Sequence, residues 1–414
     1  MIRTEFLDVN KIITDKAILK LFKTVNDHGG VLRFVGGAVR DVLAGLKGFD
    51  VDLATDLTPD ELVEACQDAG LKTVPIGIKF ATTGVIINNK VIAVSSLYKE
   101  RTGYKLNSDF AFTDDWNADA SKRDLTINAV YADEHGNVFD YYNGIADLEN
   151  GIIRFIGNAE QQIKEQPIRI MRFFRFYSIF GKGSPDLKSL KACVENRDLL
   201  KTVAIEQVRD ELAKILLTPN VVNTLQIMFE NDILSYILPV SKNLSTLQNL
   251  SDIIIKNNLE ASALRRLYVM YFPDETLAEN LAMRLHMSKE NKNRLVNWAK
   301  FNINGDLLTD DGYLQKIIYL YGKEFCKDKI LFYAAKNNLP NLPVNELFAK
   351  IEKAETPEFP VSGADLIGLG IEDNAKIGAT LALLKQKWIQ SGFDLTETEL
   401  TDMAKNLLVK LKSA

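Results

Sequence analysis

The stretch FVGGAVRDVLAGLKGFDVDLATD, residues 34–56, constrains this chain more than any other. VLRFV (31–35) reads as a short strand that runs into Gly36-Gly37. AVRDVLAGL (38–46) then sets Val39, Val42, Leu43 and Leu46 at helical spacing, and Gly48 ends that helix. FDVDLA (49–54) alternates apolar and acidic residues, the pattern of a strand with one buried face. Strand, paired glycines and helix start together make a place where backbone N–H groups approach a phosphate. Asp50 and Asp52 are separated by one residue, so their carboxylates leave the same face, while Phe49, Val51 and Leu53 point into the core. Two adjacent carboxylates repel unless a cation lies between them. An all-oxygen site of this kind suits Mg²⁺, which also keeps waters and phosphate oxygens.

The rest of the chain divides by its periodicity. Residues 11–28 carry Ile13, Ala17, Leu21 and Val25 at helical spacing, with Gly29-Gly30 as the stop. Thr58, Pro59 and Glu61 form a capping box with proline in the first helical position, and that helix runs to Gly70. Residues 72–97 hold two or three strand-like runs with a turn at Asn88-Asn89. Residues 98–118 are polar and irregular and read as a loop, in which Lys99, Arg101 and Asp109 are candidate functional charges. A helix and one more strand follow to about residue 142. Beyond about residue 150 helical patterns dominate, broken at Gly181–Pro185, Pro219, Pro239, Pro273, Pro340–Pro343 and Pro357–Pro360. The expected fold class is α+β: a small α/β head, then a long all-α portion.

Composition bounds the function. The 414 residues, 46 % apolar and 25 % charged, suffice for two to four domains. No run approaches the roughly 18 uncharged apolar residues of a membrane helix, and the N-terminus lacks the basic-then-apolar order of a signal peptide. Cys66, Cys193 and Cys326 lie far apart, with neither metal spacing nor a disulfide framework, which suits a reducing cytoplasm. A net charge of −5 argues weakly against a nucleic-acid partner, yet residues 164–214 hold 11 Lys or Arg against 7 Asp or Glu. No G-x-x-x-x-G-K-[ST] occurs, which argues against a P-loop enzyme.

VGGAVRD followed by D-V-D resembles the first signature of the tRNA nucleotidyltransferases, the CCA-adding enzymes of the polymerase-β-like superfamily. KRDLTINAV (122–130) is similar to that family's R-R-D-x-T-x-N-A element, and YYNGIADLENGIIRFIG (141–157) to its return from head to neck. EQPIRIMRFFRF (165–176) resembles its nucleotide-selecting E-D-x-x-R helix. FPVSGADLIGLGI (359–371) and the following WIQSGF (388–393) look like the tail of alphaproteobacterial members. The resemblance implies a polymerase-β-like nucleotidyltransferase head over 1–150, an all-α neck over 151–218 that selects nucleotides, a body over 219–300 and a tRNA-binding tail over 301–414.

It also implies the chemistry. The chain would add C and A residues from CTP and ATP to the tRNA 3′ end, with two metal ions on Asp50 and Asp52 and release of pyrophosphate. Gly36, Gly37 and Arg40 would meet the triphosphate. Arg123 and Asp124 would contact phosphate and ribose, with Asn128 bracing them. Gln166 and Arg169, three apart on one helix, would read the base edge, and Arg172 and Arg175 would extend the basic stripe. Three positions depart from the pattern: Gln166 stands for Asp, Lys122 for the first Arg of R-R-D, and Ala93 for a Glu found in many relatives. These departures bear on selection between C and A. Alternatives are a poly(A) polymerase, an enzyme adding only CC or only A, and a non-catalytic RNA-binding relative.

Overall fold

The computed structural model of the protein describes residues 7–9, 12–13, 16–46, 51–77, 81–99, 111–239, 243–301, 305–371 and 374–412. Asp50, Arg101 and Asp109 lie outside the described residues, and of Lys99 only the backbone is described. The chain forms two compact units, 1–240 and 241–414.

The first unit opens with α1 (Ala17–Asp27), β1 (Leu32–Val35), α2 (Gly37–Leu43), β2 (Asp52–Thr55) and α3 (Pro59–Asp68). Next come β3 (Lys72–Gly77), β4 (Thr82–Ile87) and β5 (Lys90–Ser96). The Thr58–Glu61 capping box is formed. Asn88 and Asn89, with φ of 47° and 64°, make the expected tight turn between β4 and β5.

Residues 98–118, expected as an irregular loop, instead contain β6 (Tyr98–Lys99) and β7 (Ala111–Phe112), which pair with each other, and the start of α4 (Trp116–Ser121). Asp115 caps α4 by accepting from the N–H groups of Asn117 and Ala118. A 3₁₀ turn at Thr126–Asn128 leads to two strands rather than one, β8 (Val130–Ala132) and β9 (Val138–Asp140). The short hairpin around Gly136 carries too few residues for its alternation to be read in advance.

Seven strands form one mixed sheet in the order β3-β4-β5-β2-β1-β8-β9. Only β2 and β5 run parallel; the other neighbours are antiparallel. One face packs on α1, α2 and α3 through Leu21, Phe22, Val25, Val39, Leu62 and Ala65 against Phe34, Leu53, Val85 and Val94. The other face carries a smaller cluster of Val35, Ala54, Trp116, Ala120 and Tyr131. Leu53 and Ala54 thus face opposite clusters, and Asp52 shares the side of Ala54.

Helices follow: α5 (Gly144–Asn150), α6 (Ala159–Glu165), α7 (Arg169–Phe180), α8 (Leu187–Glu195), α9 (Ile205–Leu216) and α10 (Val221–Glu230). The second unit holds eleven helices between Leu244 and Lys412 and no strand among its described residues. One of its clusters stacks Tyr268, Trp298 and Phe332, with ring centroids 4.5–5.4 Å apart. Asp328, fully buried, is held there by Arg265 at 2.5 Å and Arg294 at 2.6 Å.

The start of α5 ties the sheet to the 3₁₀ turn. The Asp140 carboxylate accepts from the N–H groups of Gly144 and Ile145 at 2.9 and 3.0 Å. A Cβ on Gly144 would lie 2.2 Å from the Thr126 carbonyl oxygen. Gly144→Ala is therefore expected to lower stability by roughly 1–3 kcal/mol, the usual cost of forcing extra volume into a packed site. A urea unfolding curve checks this; an unchanged midpoint would mean that the backbone shifts freely here.

Candidate active site

Chain geometry around the glycine pair is set by Gly36. Its φ of 66° and ψ of −121° belong to a region that side-chain-bearing residues rarely adopt. The turn lets the chain leave β1 and enter α2 at once, with the Gly36 N–H donating to the Val130 carbonyl and its own carbonyl accepting from Arg40 N–H. Asp52 is the first residue of β2, at the mouth of the same sheet face, and is exposed. Across the parallel pairing its register partner is Ala93. Ala93 thus adjoins Asp52 directly, and only a methyl group stands there.

A cavity of about 570 Å³ opens at this point. Its walls include Gly36, Gly37, Arg40 and Asp52 from the glycine turn and acidic strand, and Arg123, Asp124 and Asn128 from the segment before β8. Gln166, Arg169, Arg172 and Arg175 form the facing wall. Every residue expected to bind nucleotide or metal whose side chain is described lines this one cavity. Lys122, Asp41 and Phe176 complete it.

A polar chain runs through its floor. Arg40, buried, donates from Nη1 to Asn128 Oδ1 at 2.5 Å, and Asn128 Nδ2 donates to Asp124 Oδ1 at 2.9 Å. The Leu125 N–H donates to the same Asp124 oxygen at 2.8 Å. Asp124 Oδ2 forms an ion pair with Arg172 Nε at 2.8 Å. Burial works against the Asp124 charge, but Arg172 and these hydrogen bonds hold its carboxyl below the usual range. Asn128 therefore braces Arg40 and Asp124 together.

Arg123 is braced from behind. Its Nε donates to the Tyr131 hydroxyl at 3.1 Å and its Nη2 to Asp119 at 3.2 Å, while the Tyr131 hydroxyl donates to Asp119 at 2.7 Å. Burial opposes its charge, yet Tyr131 and Asp119 raise its pKa above the ordinary arginine value. Lys122 reaches the Tyr98 carbonyl and stands 3.3 Å from the centre of the Tyr98 ring, with Asp119 at 3.5 Å.

The facing wall departs from the sequence reading in one respect. Gln166 and Arg169 do not share a helix. α6 ends at Glu165, Gln166 adopts φ −143° and ψ 90°, and α7 begins at Arg169. Pro167 causes the break: its ring disfavours helical geometry in the residue before it and it has no N–H to donate. The Gln166 carbonyl still accepts from the Arg169 N–H at 2.9 Å, and both side chains line the cavity. Gln166 is exposed, whereas Arg169 is buried.

Four arginines from α2 and α7 meet here, and burial lowers the pKa of Arg40, Arg169 and Arg175, with the charge of Arg172 adding to the fall in each. Each keeps one carboxylate partner: Arg40 with Asp41 at 2.7 Å, Arg169 with Glu165 at 3.4 Å, Arg172 with Asp124 and Arg175 with Glu211 at 2.8 Å. Phe176 packs beneath Arg40 and Arg175, at 4.6 and 4.3 Å from ring centre to guanidinium. Mutually repelling cations around an open cavity suit a ligand with several negative charges. Sequence reasoning missed Asp41, Asp119, Tyr131, Phe176 and Glu211. Only Asp119 carried a signal, four residues before Arg123 on a short helix.

A mixed sheet with a glycine turn, an acidic strand and an arginine-lined cavity, followed by helices, defines a nucleotidyltransferase head on a helical chain. The chain is 31 % identical over 407 residues to the mitochondrial CCA tRNA nucleotidyltransferase 1 of Mus musculus, covering 94 % of this chain and 89 % of that protein. It belongs to the family of CCA tRNA nucleotidyltransferases, the CCA-adding enzymes. The human counterpart is 31 % identical over 405 residues, with the same coverage. A family described as "Poly A polymerase head domain" matches residues 32–154, and one described as "Probable RNA and SrmB- binding site of polymerase A" matches 184–244. The Bacillus stearothermophilus CCA-adding enzyme in complex with CTP shares the fold, with a TM-score of 0.77, 20 % identity and coverage of 96 % of this chain and 99 % of that one. The Thermotoga maritima CCA-adding enzyme complexed with tRNA gives 0.66, 21 %, 99 % and 100 %.

Family membership implies a divalent metal. Asp52 offers exposed carboxylate oxygens at the cavity wall, a hard donor of the kind such ions take. Among the described residues no group of three or more His, Cys, Asp or Glu is placed to hold a metal ion.

Asn128 is the joint of the polar chain. Asn128→Leu leaves Arg40 Nη1 and Asp124 Oδ1 each short of a buried partner, at about 1–3 kcal/mol per group. The variant is expected to unfold at lower urea and to bind nucleoside triphosphate more weakly in equilibrium titration. Wild-type values in both would show that the two groups find other partners.

Proposed function

We propose that this enzyme completes the 3′ end of tRNA, adding C and A residues from CTP and ATP and releasing pyrophosphate. The observation that carries the reading is the one cavity shared by the glycine turn, the acidic strand and five arginines. A triphosphate meets the backbone at Gly36-Gly37 and the charges of Arg40, Arg172 and Arg175, which relieves their mutual repulsion. Arg123, with its charge secured by Asp119 and Tyr131, contacts phosphate; Asp124, through its fixed segment, helps place the ribose. Gln166 and Arg169 face the base edge.

Asp50 and Asp52 are the residues that would hold the metal, and Mg²⁺ is the ion their oxygen-only chemistry fits. When bound it supplies acidification of the attacking 3′-hydroxyl and neutralisation of the leaving pyrophosphate. The protein's own contribution is positioning and charge placement, which is most of what phosphoryl transfer requires.

The division into head (1–150), neck (151–218), body (219–300) and tail (301–414) is retained as part of this proposal, with the helical portion binding the tRNA acceptor end by shape and backbone. A cytoplasmic location fits the three buried, unpaired cysteines. Among the described residues no helix is long and apolar enough to cross a membrane.

Two tests follow. Incubation with tRNA lacking its terminal residues, each NTP supplied separately, should give CCA completion with CTP and ATP together. A-tailing beyond one residue would favour poly(A) synthesis, and an end after CC a partial enzyme. In the same assay Asp50→Ala or Asp52→Ala should lose nearly all incorporation while tRNA binding survives. Loss of binding instead would remove these residues from the metal site.

Selection gives the second. A carboxylate only accepts hydrogen bonds, whereas the Gln166 amide both accepts and donates, and so tolerates the carbonyl edges of U and G. Gln166→Asp is expected to raise the ratio of kcat/KM for CTP over UTP by roughly 5- to 150-fold, the worth of one good base-pairing contact at 1–3 kcal/mol. An unchanged ratio would exclude Gln166 from base reading.

A further inference from the structure

Gln162 lies on α6 seven residues before Arg169, and no family element assigned above includes it. Its side chain is buried, and both ends of its amide are engaged. Nε2 donates to the Ser121 carbonyl at 3.3 Å, and Oε1 accepts from Arg169 Nη1. The partners have opposite and fixed polarity: a carbonyl cannot donate and a guanidinium cannot accept. The amide therefore has one orientation, since a flip would break both bonds.

The consequence falls on Arg169. Its Nη1 is held by the Gln162 backbone carbonyl at 3.1 Å, by Gln162 Oε1 and by Glu165 at 3.4 Å. Its Nη2 donates to the Lys122 carbonyl at 3.0 Å. Of the five N–H groups of the guanidinium, Nε–H and one on Nη2 are left for a ligand. Ser121 ends α4 and Lys122 caps it, so these carbonyls are ones that a helix end leaves without partners of its own. Gln162 and Arg169 together satisfy them, and Arg169 adds a positive charge at the negative end of the helix.

We propose that Gln162 is a positioning residue for nucleotide selection: its amide fixes the Arg169 guanidinium against the end of α4, so that discrimination among bases depends on it. The proposal rests on the reading that Arg169 contacts the incoming base. It explains how a flexible side chain, just after a helix break, presents a fixed edge without a nucleic-acid template. A loosely held arginine turns to suit any base, whereas one held at both terminal nitrogens offers the same two donors each time.

The experiment compares Gln162→Glu, Gln162→Met and Arg169→Ala in the full-length enzyme, measuring kcat/KM for CTP, ATP and UTP on one tRNA substrate, with thermal unfolding alongside. Both Gln162 variants lose the donor to Ser121. Only the Glu variant keeps an acceptor for Arg169. Gln162→Met is therefore expected to lower the CTP/UTP preference roughly ten-fold, within the span of one base contact, while Gln162→Glu stays within about three-fold of wild type. Equal losses in the two variants, with equal falls in melting temperature, would mean that Gln162 only caps α4, and the proposal would fall. Full discrimination in Gln162→Met would overturn it as well. Arg169→Ala separates the two levels: retained discrimination there removes Arg169 from base reading and the proposal with it, whereas lost discrimination there beside an unaffected Gln162→Met overturns the Gln162 role alone.

Discussion

The buried carboxylate of Asp124 is the interaction on which the site depends. It sits on the segment before β8 and reaches Arg172 on α7, so one ion pair joins the sheet's wall of the cavity to the helical wall. Through Asn128 the same carboxylate sets Arg40. A charge buried this far needs partners, and here a backbone N–H and an amide hydrogen-bond to Oδ1 while the Arg172 guanidinium stands 2.8 Å from Oδ2 as an ion-pair partner without hydrogen-bond geometry. The Asp124 side chain is thus more fully committed to holding the cavity together than to meeting substrate, and its contribution to binding runs through the groups it fixes.

The four arginines that α2 and α7 bring to this cavity pose the opposite difficulty. Like charges drive each other apart, and desolvation adds to the cost. The solution is local: Asp41, Glu165, Asp124 and Glu211 each stand beside one arginine, drawn from α2, α6, the segment before β8 and α9. Pairing holds the cations in place without cancelling their number of donors, because a guanidinium has five N–H groups and a carboxylate engages two at most. What remains is a preorganised set of donors that a polyanionic ligand completes.

The parts of this arrangement that were legible in the sequence are those made by neighbours in the chain. Gly36-Gly37, the Thr58 capping box and the Asn88-Asn89 turn each depend on a few consecutive residues, and each forms as read; of the strand read over 49–54, β2 covers Asp52–Thr55 with Asp52 exposed and the next three residues buried, while Phe49 and Asp50 lie outside the described residues. The cavity's second half was reachable only through family likeness, since nothing local brings Arg123 to Arg172. That likeness also misled: it carried one helix across Pro167, where the proline's own chemistry forces a break. β6 and β7, two residues each, are too short for any period to show, and Glu211 or Tyr131 gives no sign of its arginine until the chain is folded.

Two of the departures from the family pattern, Ala93 and Gln166, have a common electrostatic sense, while Lys122 keeps the charge of the arginine it replaces. Ala93 beside Asp52 places a methyl group where the resembled pattern has a carboxylate, so one negative charge fewer stands next to Asp52. Gln166 in place of an acid leaves Glu165 as the one carboxylate paired with Arg169, and at 3.4 Å that pair is long for an ion pair that fixes direction. A neutral residue at 166 thus keeps more of the arginine's positive field in the cavity but gives up a charged partner that would aim it. Aim must then come from uncharged acceptors, and the carbonyls of Gln162 and Lys122 with the Gln162 amide supply it without adding negative charge to the wall. Hydrogen bonds to neutral oxygens fix a guanidinium's orientation without neutralising its charge, which suits a cavity that would take a polyanion.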